Sequence, residues 1–151
     1  MKREEFIVRM NRSLKLVRTE YDLTQEKMAV CLGITKKTLV EIEKERTSLG
    51  WTGAVALAAI FSDSTVLQNS FGGEMSDIIK ALAFEDTGVR YPRSMGGKIW
   101  WRVIEENDRW KIQQNYISQH YRLLTPENRC VFSSFHLDKI RNAAREYDGD
   151  I

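Results

Sequence analysis

Each thing this chain is short of rules out a class of function. Its 151 residues include 2 cysteines, Cys31 and Cys130, far apart and without CxxC or Cys/His spacing. That excludes a disulfide framework and a zinc site, and reads both as packing thiols of a reducing cytosol, Cys31 on the inner side of a helix and Cys130 in a strand. The 2 histidines, His120 and His136, have no Cys, Asp or Glu at metal-ligand spacing and no partner nucleophile. Ser133-Ser134 lacks the glycines of a nucleophile elbow, and Gly72-Gly73 and Gly96-Gly97 lack a phosphate-loop context. Neither an enzyme nor a cofactor is expected. The longest apolar run, Ala54 to Phe61, is too short to span a bilayer. The opening MKREEF has no apolar stretch of the secretory kind, so a soluble cytoplasmic protein without membrane contact is expected.

One-signed charge is scarce as well. The formal net charge is +2, with 11 Lys+Arg against 9 Asp+Glu through Gly72 and 12 against 12 after it. A generic polycation that coats nucleic acid is excluded, whereas a local basic face in the first part is not.

What the chain does have is concentrated in Leu23 to Arg46, LTQEKMAVCLGITKKTLVEIEKER. Thr24 is a good N-cap for a helix over Gln25 to Leu32, since its hydroxyl can accept an orphan backbone N–H. Met28, Ala29 and Leu32 fall on one face. Gly33 stands where a helix end favours positive φ, and Ile34 returns to the core. Thr35 caps a second helix from Lys36 to about Lys44, with Leu39 and Ile42 inward and Lys36, Lys37, Val40, Glu41 and Lys44 outward. Cations at the start of a helix oppose its dipole, a cost that makes sense if that end meets phosphate or guanine.

This pattern resembles the DNA-binding domain of the Cro and lambda-repressor (XRE) family of helix-turn-helix transcriptional regulators. The matching residues are Leu14, Arg18, Leu23-Thr24-Gln25-Glu26, Ala29, Leu32-Gly33-Ile34-Thr35, Thr38-Leu39, Ile42-Glu43 and Arg46, within residues 6 to 70. The chain departs from the family in having Lys44-Glu45-Arg46 where Gly or Asn-Gly is usual, and Ser48-Leu49-Gly50-Trp51 where a proline is usual. The resemblance implies a five-helix domain that binds double-stranded DNA. Lys36, Lys37 and Glu41 would enter the major groove, the lysines donating to guanine and the glutamate accepting from cytosine. Gln25, Thr35, Thr38, Lys44 and Arg46 would meet backbone phosphates. Arg18 and Glu43 match a family ion pair beneath the DNA-facing surface.

The expected fold is thus a mainly α, lambda-repressor-like helix-turn-helix domain over residues 1–72, with helices at about Glu4 to Glu20, Thr52 to Phe61 and Thr65 to Ser70 beside the motif. Residues 73–97 read as a helix (Met75 to Phe84) and a linker. Residues 98–151 read as a small α+β antiparallel-sheet module. Its three or four strands are drawn from Lys98 to Glu105, Trp110 to Ile117, Gln119 to Leu124 and Arg129 to Phe135, with turns at Glu106 to Arg109 and Thr125 to Asn128 and a final helix over Leu137 to Tyr147. Trp100, Trp101, Trp110, Tyr116, Tyr121, Phe132 and Phe135 are read chiefly as the core of this sheet, with a dimer surface or ligand pocket as alternatives. One helix-turn-helix offers little contact area, so a homodimer on a twofold DNA site is expected. The rival functions are an antitoxin-like protein whose carboxyl-terminal module binds a protein partner, and a small-molecule-sensing regulator.

Overall fold

A computed structural model describes residues 1–90 and 100–149 of the chain. It divides into two units, Met1–Arg90 and Tyr91–Ile151. The first is all helical and the second is a four-stranded antiparallel sheet with a helix.

In the first unit, helix α1 (Arg3–Glu20) presents Phe6, Met10, Leu14 and Val17 as one fully buried stripe. Their spacing of four, four and three residues keeps them on one side of a 3.6-residue helix. Against that stripe lie α3 (Lys36–Glu43), α4 (Gly50–Ile60) and α5 (Thr65–Phe71). Helix α2 (Gln25–Leu32) packs on α3 and α4. Phe6 sits edge-on to Trp51 and tilted against Phe71, with ring centroids 5.8 and 5.4 Å away.

Three helices begin on hydroxyl caps. The Oγ1 of Thr24 accepts from the Lys27 N–H, that of Thr35 from the Thr38 N–H, and Ser64 Oγ from the Leu67 N–H. Glu20 adds a carboxylate at the start of α5, accepting from Ser64 Oγ at 2.5 Å and from the Thr65 N–H at 2.7 Å. Burial pushes its carboxyl up, but these hydrogen bonds outweigh that and hold it below the ordinary range.

The helix α6 (Met75–Phe84) corrects the sequence reading, which set it apart with the linker. Met75 and Leu82 are buried in the same core as α1 and α4, and Ile78 and Ile79 pack on it. An amphipathic helix must cover its apolar stripe, and α4, itself apolar nearly all round, offers the complementary surface. Arg3 fastens the arrangement: its guanidinium lies 4.2 Å from the Trp51 ring and donates to the Leu82 carbonyl. No single helix among the described residues is long and apolar enough to cross a membrane.

The second unit runs β1 (Trp101–Glu106), β2 (Lys111–Asn115), β3 (Tyr121–Leu124) and β4 (Cys130–Ser134) in sheet order β1-β2-β3-β4, then α7 (Leu137–Gly149). Asn107 shapes the first hairpin by accepting the N–H groups of Arg109 and Trp110 on its side-chain oxygen. The third connection closes with the Asn128 N–H on the Thr125 carbonyl. The core is aliphatic: Ile112, Leu123, Ile140 and Ala144 are buried, with Trp110 and Tyr121 packed at its side. The expectation of an aromatic core is therefore corrected, since Trp100, Tyr116, Phe132 and Phe135 are 41, 54, 42 and 70% exposed. Trp100, Tyr116 and Phe135 lie just outside the strands, and Phe132, in register with the buried Leu123, sits on the outermost strand, where the core ends. The expected linker ran to residue 97 and the first strand began at Lys98; residues 91–99 lie outside those described.

Both cysteines also differ from expectation, for each is exposed. At about 100° per residue, Cys31 falls roughly 100° from the centre of the Met28–Ala29–Leu32 stripe, on the flank of α2. Cys130 starts the edge strand β4.

A fragment ending at Arg90 is expected to unfold cooperatively as an independent helical domain. One ending at Gly72 loses Met75 and Leu82 from the core, and at roughly 2–5 kcal/mol for each buried aliphatic removed it is expected to be far less stable. Circular dichroism melts of the two fragments check this; equal midpoints would mean that α6 adds nothing to the core.

Candidate nucleic-acid interface

Two short helices meeting through a tight turn build the candidate surface. α2 ends at Gly33, whose φ of 69° is left-handed. The Gly33 N–H bonds to the Val30 carbonyl and the Ile34 N–H to the Ala29 carbonyl. A Cβ at Gly33 would meet nothing within 4 Å, so φ alone, not space, favours glycine there. Ile34 then packs on the core and Thr35 starts α3. Leu39 and Ile42, 0 and 2% exposed, root α3 in the helical unit.

The exit from α3 explains the departure from the family pattern. Lys44 caps the helix, and Glu45 adopts φ 60°, the left-handed conformation that glycine or asparagine would normally supply. The Glu45 N–H bonds to the Ile42 carbonyl and the Arg46 N–H to the Glu41 carbonyl. This is the bonding of a Schellman close, made here at a glutamate and against its Cβ. Beyond it, Asn11 of α1 accepts from the Leu49 N–H at 2.9 Å and donates to Ser48 Oγ at 3.0 Å. The loop to α4 is thereby clamped to α1 without a proline.

Beneath the surface, Arg18 Nε lies 2.6 Å from Glu43 Oε1, with 16 and 6% of the two side chains exposed. Arg18 also donates to the Leu23 carbonyl at 3.1 Å, and Gln25 Nε2 donates to Glu43 Oε2 at 2.8 Å. One carboxylate thus joins α1, the start of α2 and the end of α3. Burial pushes the Glu43 carboxyl up, but the Arg18 and Gln25 hydrogen bonds and the charges of Arg18 and Lys15 overcome that and hold it below the ordinary carboxylate range.

The outward residues fall into two groups. Lys37, Thr38 and Lys44 are exposed, and Lys37 makes no ion pair among the described residues. The others already have partners. Lys36 Nζ lies 2.5 Å from Glu26 of α2, both half exposed or more. Glu41 lies 3.6 Å from Arg46. Thr35 and Thr38 share a hydroxyl hydrogen bond at 2.9 Å. Gln25 spends one amide hydrogen on Glu43, so at most one of its two remains for a phosphate.

The structure adds two cations that the sequence reading passed over. Arg12 and Lys15 line a shallow cleft with Leu16, Lys44 and Glu45, and Arg12 also lines one with Arg46 and Thr47. Their signal is plain in retrospect. Arg12, Lys15 and Arg18 follow one another at three-residue steps, so each is the neighbour of the next along α1. A band of Arg12, Lys15, Lys44 and Arg46 therefore flanks the foot of α3. No protein-family model, curated protein or solved structure matches this chain.

Two expectations follow. Arg18→Ala strands a mostly buried carboxylate, so its cost at neutral pH should exceed the ~1 kcal/mol of an exposed pair and approach the ~3 kcal/mol of a buried one. Because the folded Glu43 carboxyl is depressed, the pair's contribution is present above the unfolded carboxyl's pKa and lost as pH falls through the folded value. Denaturant melts should therefore show parent and variant converging in acid; a gap that stays constant with pH would assign the cost to something other than the charge. Glu45→Gly should remove left-handed strain and raise stability by about 1 kcal/mol, less what glycine's freer unfolded chain takes back. A lowered melting temperature would show that the glutamate contributes more than the strain removes.

Proposed function

We propose that the protein is a sequence-specific duplex-DNA-binding transcriptional regulator of helix-turn-helix type, acting as a homodimer. The observation that carries this reading is α3 itself. It is rooted by Leu39 and Ile42 and tied at Glu43 to α1 and α2, while Lys36, Lys37, Thr38 and Glu41 face outward. Two lysines at a helix start oppose the helix dipole. Glu26 compensates one of them, and Lys37 is left for an external anion or acceptor.

In this reading α3 enters the major groove. Lys37 donates to guanine O6/N7, with Lys36 joining it on release from Glu26, and Glu41 accepts from cytosine N4. Thr35, Thr38, Lys44, Arg46 and the second amide hydrogen of Gln25 take the flanking phosphates, with Arg12 and Lys15 extending the track along α1. The division suits the low net charge: a handful of cations on one side of one unit gives binding limited to sites, not a coat.

A second reading gives the sheet unit a different protein as partner, with DNA binding as autoregulation. The exposed Trp100, Tyr116 and Phe135 favour contact of that unit with some protein surface. A ligand-sensing role has less support. The concavity at Glu105, Trp110, Arg141, Ala144 and Arg145 is shallow, and a 2.6 Å Arg141–Glu105 ion pair occupies it.

Selection of bound duplexes from a random pool tests the reading directly and returns half-site sequence and spacing. With the selected site, Lys37→Ala should weaken specific binding by about 1–3 kcal/mol and relax preference at one position. Arg12→Ala and Lys15→Ala should instead weaken all sequences alike and each reduce the salt slope by about 1. No enrichment from the pool, or an unchanged preference in Lys37→Ala, would remove α3 from the role of reader.

A further inference from the structure

A row of side chains crosses the sheet on the face turned away from its helix. Ile112 and Leu123 are cross-strand partners and are buried with Ile140 and Ala144 of α7. Successive residues of a strand point to opposite faces. Val103, Gln113, Arg122 and Ser133, each opposite the next in register, therefore lie on the other face, together with Trp101. Val103 and Ser133 are exposed, Gln113 and Arg122 half-buried. The Arg122 guanidinium lies 3.6 Å from the centroid of the Trp101 ring. Its Nε and Nη2 both donate to Gln113 Oε1, at 3.0 and 2.7 Å. Stack and fork fix the plane of the group, yet both partners are neutral. Three of its five N–H groups are left over, and it makes no ion pair among the described residues. Burial holds its pKa below the usual guanidinium value. A cation that is oriented but not neutralised is costly to keep partly dry, and an incoming anion removes that cost. Arg102 makes the same fork with Gln114 but is exposed, so water compensates it. Lys111, on the Arg122 face, already has Glu106.

We propose that this face docks a different protein through Arg122, which receives the carboxylate of an aspartate or glutamate that the partner presents. The site stands apart from α3 and its DNA reading. Charge complementarity selects the occupant: one uncompensated cation matches one carboxylate, whose two oxygens fit the N–H groups left free. Beside the cation, the Trp101 and His120 rings meet edge-on with centroids 4.9 Å apart, and His120 lies 5.9 Å from the 70%-exposed Phe135. An arginine bordered by aromatic rings has the composition of an anchor in a protein interface. Nucleic acid fits less well. It needs several cations for successive phosphates, and Arg122 already occupies a face of the Trp101 ring on which a base would stack. A small molecule needs a concavity, and the clefts of this unit lie elsewhere, beside Glu105 and Arg145 and beside Asn107 and Asp148.

Selection from a random peptide display library, with the full chain as bait, is the test. The enriched peptides should carry an aspartate or glutamate beside an apolar residue. Replacing that acid by its amide in a synthetic copy should cost roughly tenfold or more in affinity. Gln113→Glu keeps the shape of the fork and gives Arg122 a carboxylate of its own. It should hold or raise the melting temperature and weaken the selected peptide by roughly tenfold or more, which separates lost docking from lost folding. Arg122→Gln should weaken the peptide likewise, and Arg102→Gln should leave it bound as in the parent. No enrichment, peptides that bind as well without their acid, or a Gln113→Glu protein that binds as tightly as the parent would each overturn the assignment. Displacement of the peptide by a mixed-sequence single-stranded oligonucleotide would overturn it in favour of nucleic acid. Self-association of the parent that Gln113→Glu abolishes would overturn it in favour of a second copy.

Discussion

The Glu43 carboxylate holds the first unit's candidate surface together. It takes Arg18 from α1 and Gln25 from α2 while belonging to the last turn of α3. Apolar packing by Leu39 and Ile42 fixes how deep α3 sits, because burial is non-directional and only rewards contact. The charged network adds direction: a bidentate guanidinium and a planar amide meet one carboxylate in few orientations. Depth and orientation are thus set by different kinds of force, and the outward residues of α3 inherit both.

Around that centre the unit applies one device repeatedly. A side chain from α1 reaches across to satisfy backbone that a neighbouring helix or loop leaves open. Arg18 does so at Leu23, Asn11 at Leu49, Arg3 at Leu82 and Glu20 at Thr65. Each open N–H or C=O would otherwise need water or strain. The result is that α1, whose apolar stripe makes the core, also fixes most of the connections with its polar side. The cations Arg12 and Lys15 occupy what is left of that polar side.

Much of this was legible in the chain. Thr24, Thr35, Ser64, Gly33 and Gly72 are local punctuation, and the helices they bound appear within two residues of expectation. The four antiparallel strands and the last helix also follow from alternation and turn residues. What was misread depended on which faces find a cover. The α6 stripe was visible, but that α4 would receive it was not, since α4 is too apolar to declare a face. The sheet aromatics look like core material by type, yet three of the exposed ones lie just outside the strands and Phe132 sits on the edge strand. Arg12 and Lys15 were overlooked because the motif begins after them, although the three-residue steps from Arg12 to Lys15 to Arg18 make them successive neighbours on α1. Glu45 looked like a broken rule and is instead a strained residue in the conformation the rule describes.

The ion pair between Glu26 and Lys36 has an effect on any ligand that approaches α3. Contact through Lys36 is a trade, in which an internal acceptor is given up for an external one. The net gain is only the difference between the two, so a mediocre acceptor leaves the lysine at home. Such a residue adds little to holding power and much to fussiness. It answers only a partner that outbids a carboxylate two and a half ångströms away.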